Sequence, residues 1–353
     1  MGEWRERLWN AAEPAGLGTR TLSALLTPTE WLYGLAVAAR NWAYDRELLS
    51  SSAGPIPTLA VGNLTVGGTG KTPVAAWFAG VLRARGRRPA IVMRGYGGDE
   101  VEVHRLLNPE VPVHVSADRL AGVRWAQVAG ADLVVLDDAF QHRAIRADLA
   151  VALIAAEEWV ETPRLLPRGP WREPLKALSR ADLVVITRKV ASATEAARVG
   201  ERLAALLPAL PRAVGHIGLG ELARYQGPEG ALGEPFAARG FHCALAVAGV
   251  AHPEAVRRQL QQEGVMIDSW RAFPDHHHYS RADLLQIRRD AGPGPVLATL
   301  KDAVKLGPAL APEVDIYVPL QEVAWESGRE QIECLLAQLS GAGDQPQRDS
   351  HDT

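Results

Sequence analysis

Lys71 and Thr72 close a glycine-rich run, GNLTVGGTGKT, from Gly62 to Thr72. Glycines at such a place let backbone N–H groups turn inward around an anion. A lysine at the end neutralises charge between neighbouring phosphates, and a threonine hydroxyl can ligate a divalent cation. Gly67, Gly68, Thr69, Gly70, Lys71 and Thr72 are therefore the candidate nucleotide-binding residues. The strict spacing G-x-x-x-x-G-K-[ST] places a glycine where Thr65 stands, so this loop is a variant in which Gly67 and Gly68 compensate. Further along, ADLVVLDDAFQH ends an apolar run with Asp137 and Asp138. A carboxylate at the end of a strand beside the loop is what Mg²⁺ ligation asks for, which makes Thr72, Asp137 and Asp138 the candidate metal ligands. Paired acids can also cap a helix; the loop upstream favours the metal.

These groups need elements to hold them. Thr58 to Val61 is expected as a buried strand before the loop, with a helix from about Pro73 to Arg85 after it. More strands are expected at Ala90 to Met93, Val111 to Val115, Leu133 to Leu136, Ala150 to Ile154 and Leu183 to Thr187, separated by helical patterns such as Arg119 to Ala129. Strands that alternate with helices imply an α/β fold with a doubly wound, mostly parallel sheet of the P-loop NTPase type. A second cycle follows: strands at Cys243 to Val247 and Val296 to Thr299, helices at Pro253 to Glu263 and Ser280 to Ala291. It predicts a second, smaller α/β domain. The expected division is an N-terminal helical region over 1–50, a P-loop domain over 51–215, the smaller domain over 216–340 with its join in the Pro- and Gly-rich stretch from Pro208 to Pro235, and a disordered tail over 341–353.

A chain of 353 residues suits two domains, and 47% hydrophobic with 22% charged residues and a net charge of -3 excludes a disordered or nucleic-acid-coating protein. The only cysteines, Cys243 and Cys334, form no C-x-x-C pair, so neither a disulfide framework nor a zinc site is signalled. The start, MGEWRERLWN, is unlike a secretory signal, and no apolar run reaches the roughly 20 residues a spanning helix needs. Between Leu22 and Leu49, however, apolar groups recur at helical spacing with Trp31, Tyr33, Trp42 and Tyr44 and with Arg20, Arg40 and Arg46. Aromatic rings and arginines suit a lipid headgroup layer. Amphipathicity alone does not separate a helix lying on lipid from one packed on protein.

Among P-loop proteins, a GTPase would carry [NT]-K-x-D, whereas TLKD at Thr299 to Asp302 has its lysine displaced; partitioning ATPases carry a further lysine where Val66 stands. A small-molecule or lipid kinase remains. The ordered series PTEWLYGL, VGNLTVGGTGKTP, RGYGGDE, SADR, LDDAFQH, LLPRGPWREP, FPDHHHY and TLKDAVKL resembles the tetraacyldisaccharide 4'-kinases, the lipid A kinases of Gram-negative bacteria, over about residues 25 to 335. FPDHH and LLPxGxxRE are not general P-loop features.

The resemblance implies transfer of the ATP γ-phosphate, with Mg²⁺, to the 4'-hydroxyl of a lipid disaccharide 1-phosphate. It implies a monomer at the inner face of the cytoplasmic membrane, with no nucleic acid partner. It also implies catalytic roles for Asp99, as base or proton relay close to Lys71, and for His276, Lys71 and Arg172, with Arg119, Glu173 and Asn63 near the substrate. In the family RGY and GDE are separated by a longer loop; here they are fused, which leaves Asp137 or Asp138 as alternatives for the role of Asp99. Which of His276, His277 and His278 works stays open, although consecutive side chains diverge and do not converge on one metal. Other departures are Ala139 for the family glycine, Leu300 for the glutamate of TEKDA, and AGVAHP for AGIGNP. The competing function is a membrane-associated P-loop ATPase or regulator without lipid chemistry.

Overall fold

A computed structural model describes residues 17–95, 98–227, 232–310 and 313–341. Residues 1–16, and the expected tail from residue 342 onward, lie outside the described residues.

The chain begins with helix α1 (Leu17–Asp45). Strand β2 (Thr58–Asn63) is entirely buried, as a central parallel strand must be. It leads through the glycine-rich loop into α2 (Lys71–Ala84). Then follow β3 (Pro89–Met93), α3 (Asp99–Leu107), β4 (Val113–Val115), α4 (Arg119–Val128), β5 (Leu133–Asp137), β7 (Leu149–Ala155), β8 (Leu183–Arg188) and α5 (Ala193–Leu206). Short β1 (Ser52–Ala53) and β6 (Ile145–Arg146) pair only with each other. The order β4-β3-β5-β2-β7-β8 is parallel throughout, with β2 held between β5 and β7. This sheet packs on α2 through Leu59, Val61, Val74, Phe78, Leu82 and Val135, none of them exposed.

β9 (Arg212–Arg224) and β14 (Ile316–Ser327) are long, antiparallel and joined over most of their length. Between them lie β10 (Phe236–Ala237), β11 (His242–Ala248), α6 (Pro253–Gln262), β12 (Met266–Ala272), α7 (Arg281–Ala291), β13 (Val296–Ala298) and α8 (Leu300–Leu310), and α9 (Arg329–Gly341) follows. The Pro- and Gly-rich stretch expected as the join contains a 13-residue strand: RAVGHIGLGELAR alternates half-buried and buried side chains over its first eight residues, a period-2 pattern that its glycines mask.

Register explains the geometry. The start of β9 pairs with β8 (Arg188↔His216), and its far end pairs with the start of β14 (Arg224↔Tyr317), where β13 also attaches (Val296↔Ile316). The ribbon therefore carries β11, β12 and β13 beyond the carboxyl edge of the first set of strands. They run parallel to β14, back toward that edge. The carboxyl ends of the two sets face each other, where open α/β sheets place ligands.

Candidate active site

The glycine-rich loop is fixed by its neighbours. Gly70 caps α2 in the left-handed region (φ +84), and a Cβ there would overlap Ile217 of β9. Asn63, fully buried, donates its side-chain amide to Thr69 Oγ1 (2.8 Å). Thr187, at the end of β8, donates to the Thr69 carbonyl (2.8 Å), and Lys189 Nζ to the Gly68 carbonyl (2.6 Å). The Glu158 carboxylate accepts from Thr65 Oγ1 (3.2 Å) and lies 3.4 Å from His252 Nε2. Its Oε1 would lie only 2.7 Å from a Cβ on Gly67. Burial, ahead of the nearby charges, lowers Lys189 below the usual lysine range.

At the end of β5 the two aspartates divide. Asp137 is buried, with Oδ2 2.9 Å from His104 Nε2, a fully buried ring on α3, and Oδ1 accepting the Asp138 N–H (2.8 Å). Burial alone would raise Asp137, but His104, Lys71 and the Asp138 amide hold it below the usual carboxylate range. Asp138 has φ +50 and faces outward. Lys71 Nζ stands 3.7 Å from its Oδ1, and Arg172 Nη1 donates to both its oxygens at 3.2 and 3.3 Å. Two cations on one accessible carboxylate form the first half of the site.

The second half forms where α3, on the P-loop side, meets the FPDHHHY loop and α8. Asp99 opens α3 and is 3% exposed. Its Oδ2 faces Lys305 Nζ at 3.1 Å and His276 Nδ1 at 3.5 Å. His276 is half exposed and holds a positive φ of 56°, so the FPDHHHY loop turns its imidazole to Asp99 at a conformational cost. His277 is engaged elsewhere, pairing with Asp283 (3.2 Å) and stacking on Phe273. The structure therefore brings Asp99 and His276 together. The neighbours of Asp99 are Lys305, Lys301 and His276, while the acid beside Lys71 is Asp138.

Arg119, Glu173 and Asn63, expected near substrate, are sealed. Arg119 is 2% exposed and its guanidinium donates to the carbonyls of Ser116 (2.6 Å) and Asp137 (3.3 Å). Glu173 is 1% exposed and accepts from Arg40 (2.7 Å), Asn41 (3.2 Å) and Arg180 (2.7 Å). Tyr33 Oη donates to the Arg172 carbonyl (2.9 Å) and Glu30 pairs with Arg168 (3.1 Å). The polar side of α1 thus grips the segment that carries Arg172. Its other face, with Leu25, Trp31, Leu32, Leu35 and Trp42, is exposed and apolar. Among the described residues no helix is long and apolar enough to cross a membrane, and no cluster of three His, Cys, Asp or Glu could hold a metal on its own. His104, Lys189 and Lys305 escaped sequence reading. For Lys305 there was a signal, since it stands one helical turn after Lys301 in TLKDAVKL.

Residues 22–340 match the family described as tetraacyldisaccharide-1-P 4'-kinase. A tetraacyldisaccharide 4'-kinase of Halorhodospira halophila is 38% identical, over 79% of this chain and 83% of that protein. Another from Anaeromyxobacter sp. strain K is 36% identical over 97% of each chain. The crystal structure titled as the "apo" form of LpxK from Aquifex aeolicus in complex with ATP superposes with a TM-score of 0.71 and 27% identity, covering 90% of this chain and 99% of that one.

Proposed function

This chain belongs to the tetraacyldisaccharide 4'-kinase family, and from that premise we propose how its own residues carry the reaction. The enzyme phosphorylates the 4'-hydroxyl of tetraacyldisaccharide 1-phosphate at the expense of ATP, giving the 1,4'-bisphosphate of lipid A biosynthesis. The observation that carries the assignment is a pair of clusters at the facing ends of the two sets of strands: Lys71, Asp138 and Arg172 at the P-loop, and Asp99 of α3 facing His276 from the smaller domain.

The loop amides and the start of α2 receive the ATP phosphates. Lys71 and Arg172, both resting on Asp138, pass to phosphate oxygens and neutralise charge that grows in the transition state. Thr72, Asp137 and Asp138 offer oxygen donors only, which fits Mg²⁺, and Asp138 becomes free for it once its two cations engage phosphate. Mg²⁺ bound with ATP would add further charge neutralisation between the β- and γ-phosphates. His276 turns Nδ1 to Asp99, which leaves Nε2 to accept the proton of the 4'-hydroxyl as oxygen attacks the γ-phosphorus and the bond to ADP breaks. Asp99 fixes the ring and stabilises the imidazolium, the carboxylate role in a histidine relay. Its separation of 3.5 Å is long for a hydrogen bond and shortens as the smaller domain, 216–340, closes over the P-loop domain, 51–215. Arg119, Glu173 and Asn63 act by support: Arg119 holds the Asp137 carbonyl, Glu173 anchors α1, and Asn63 braces Thr69.

Helix α1 supports action at a lipid surface. Tyr33 and Arg40 face the protein while Leu25, Trp31, Leu32, Leu35 and Trp42 face outward, the reverse of what a soluble surface helix exposes. We assign it to the inner face of the cytoplasmic membrane, with a monomeric, peripheral enzyme and a lipid acceptor.

Incubation with γ-labelled ATP, Mg²⁺ and the disaccharide 1-phosphate in detergent micelles should give labelled lipid whose phosphorus spectrum contains a second phosphomonoester, at the 4'-position. ATP hydrolysis without lipid labelling, in folded protein, would instead favour the P-loop ATPase without lipid chemistry.

A further inference from the structure

Within the first turn and a half of α8, Lys301, Asp302 and Lys305 each hold a different part of the second half-site. Lys301 and Lys305 are four residues apart and so share one face of the helix. Asp99 and Glu100 are the first two residues of α3, which packs against α8. Lys301 Nζ pairs with Glu100 Oε1 at 2.7 Å and Lys305 Nζ with Asp99 Oδ2 at 3.1 Å. Asp302, fully buried, accepts the Gly249 N–H and the Tyr279 hydroxyl, both at 2.8 Å, and the Thr299 hydroxyl at 2.5 Å. Tyr279 in turn packs edge-on against Phe273 and His277, the residues that flank His276 in its loop. One helix therefore fixes both the loop of His276 and the carboxylate it must meet.

We propose that Lys305 is a positioning residue for phosphoryl transfer, keeping Asp99 a buried anion with Oδ2 turned toward His276. This rests on the reading of Asp99 and His276 as the pair that takes the acceptor's proton. The Lys305 ammonium is sealed from solvent, and its one ion pair among the described residues is with Asp99. No hydrogen bond of ordinary geometry reaches either Asp99 oxygen within those residues, so nearby charge is what holds the carboxylate. The groups facing Asp99 are Lys305 and Lys301 from α8 and His276, backed by Asp275, from the loop after β12; Glu100 and Glu102 flank it on its own helix. Burial would push Asp99 up, and Lys305 foremost, then Lys301 and His276, outweigh it and hold the carboxyl below its usual range. Without the ammonium, burial dominates and Asp99 takes up a proton at higher pH.

The test is the pH profile of kcat for full-length wild type, K305M, K305R and D99N, at saturating ATP and lipid acceptor in micelles. In K305M the acid limb should move to higher pH by roughly one unit or more, while the KM for ATP stays within about twofold. K305R, which keeps the charge, should return the limb toward wild type. An unmoved limb in folded K305M, alongside an inactive D99N, would overturn the role of Lys305 alone; near-normal turnover in D99N would overturn the Asp99 reading and this inference with it. Should K305M turn over too slowly for a profile, urea midpoints at about pH 4 and about pH 8, which bracket the raised Asp99 value, decide. A raised Asp99 pKa in the folded state costs stability above that pKa and restores it as pH falls through it. The K305M deficit should therefore be larger at the higher pH and lose this pH dependence in a D99N background. An equal deficit at both pH values would overturn the proposal.

Discussion

Replacing Trp31, Leu32 and Leu35 together with serine should release the enzyme from lipid without unfolding it. These side chains are 73%, 68% and 67% exposed, while the anchors of α1 to the body, Glu30, Tyr33 and Arg40, lie on the other face. Full burial of a large apolar side chain is worth ~1.5–3 kcal/mol. Scaled by the fraction each still exposes, insertion yields about 1–2 kcal/mol per residue and about 3–6 kcal/mol for three. That corresponds to a loss of ~10²–10⁴-fold in vesicle partitioning. Substitutions at such exposed positions change folding stability by only about 0.5 kcal/mol each. Flotation with vesicles of phosphatidylethanolamine and phosphatidylglycerol, paired with urea denaturation, measures both quantities. Partitioning of the triple variant within threefold of wild type would refute α1 as the lipid-facing surface.

Lys71→Ala should lower kcat by about 10³-fold or more while the denaturation midpoint stays close to wild type, because the loss is of charge stabilisation at the phosphates. His104→Ala leaves Asp137 buried without its partner and should cost about 3–5 kcal/mol near neutral pH by urea titration. Since Asp137 is held below the ordinary carboxylate range in the folded protein, its stabilising contribution is present above that range and fades as pH falls below it; the His104→Ala deficit should shrink over the same acid range. Gly70→Ala forces a side chain into the left-handed region and into Ile217, and should cost about 1–2 kcal/mol together with weaker ATP binding by calorimetry.

The first half of the molecule was legible because its signals are local. The run LAV within TLAVGN is apolar up to the loop, LVVLD ends in Asp137, and both are buried strands of a parallel sheet as expected, with the kinase family borne out by the match over residues 22–340. The ribbon of β9 and β14 was not legible. Its glycines at 215, 218 and 220 read as loop, and its pairing joins residues about a hundred positions apart. That ribbon turns the second set of strands to face the first, so the meeting of Asp99 with His276 and Lys305 depends on tertiary register rather than on any local pattern. Arg119 and Glu173 were legible as motif residues but not as buried ones, since burial of a charge depends on partners distant in sequence, such as Arg40 for Glu173. The same holds for α1: its spacing announced an amphipathic helix, but only the contacts of Tyr33 and Arg40 fix which face is turned outward.

The central claim is that two half-sites, Lys71 with Asp138 and Arg172 at the P-loop and Asp99 with His276 of the smaller domain, act on the same phosphoryl group. It is tested most directly by single-turnover transfer of labelled γ-phosphate to the lipid acceptor by His276→Ala, with bound ATP confirmed beforehand. The account predicts ATP affinity close to wild type and a transfer rate lower by about 10²–10⁴-fold, the range for loss of a general base. Transfer at the wild-type rate would show that the P-loop side alone performs the chemistry and would contradict the account.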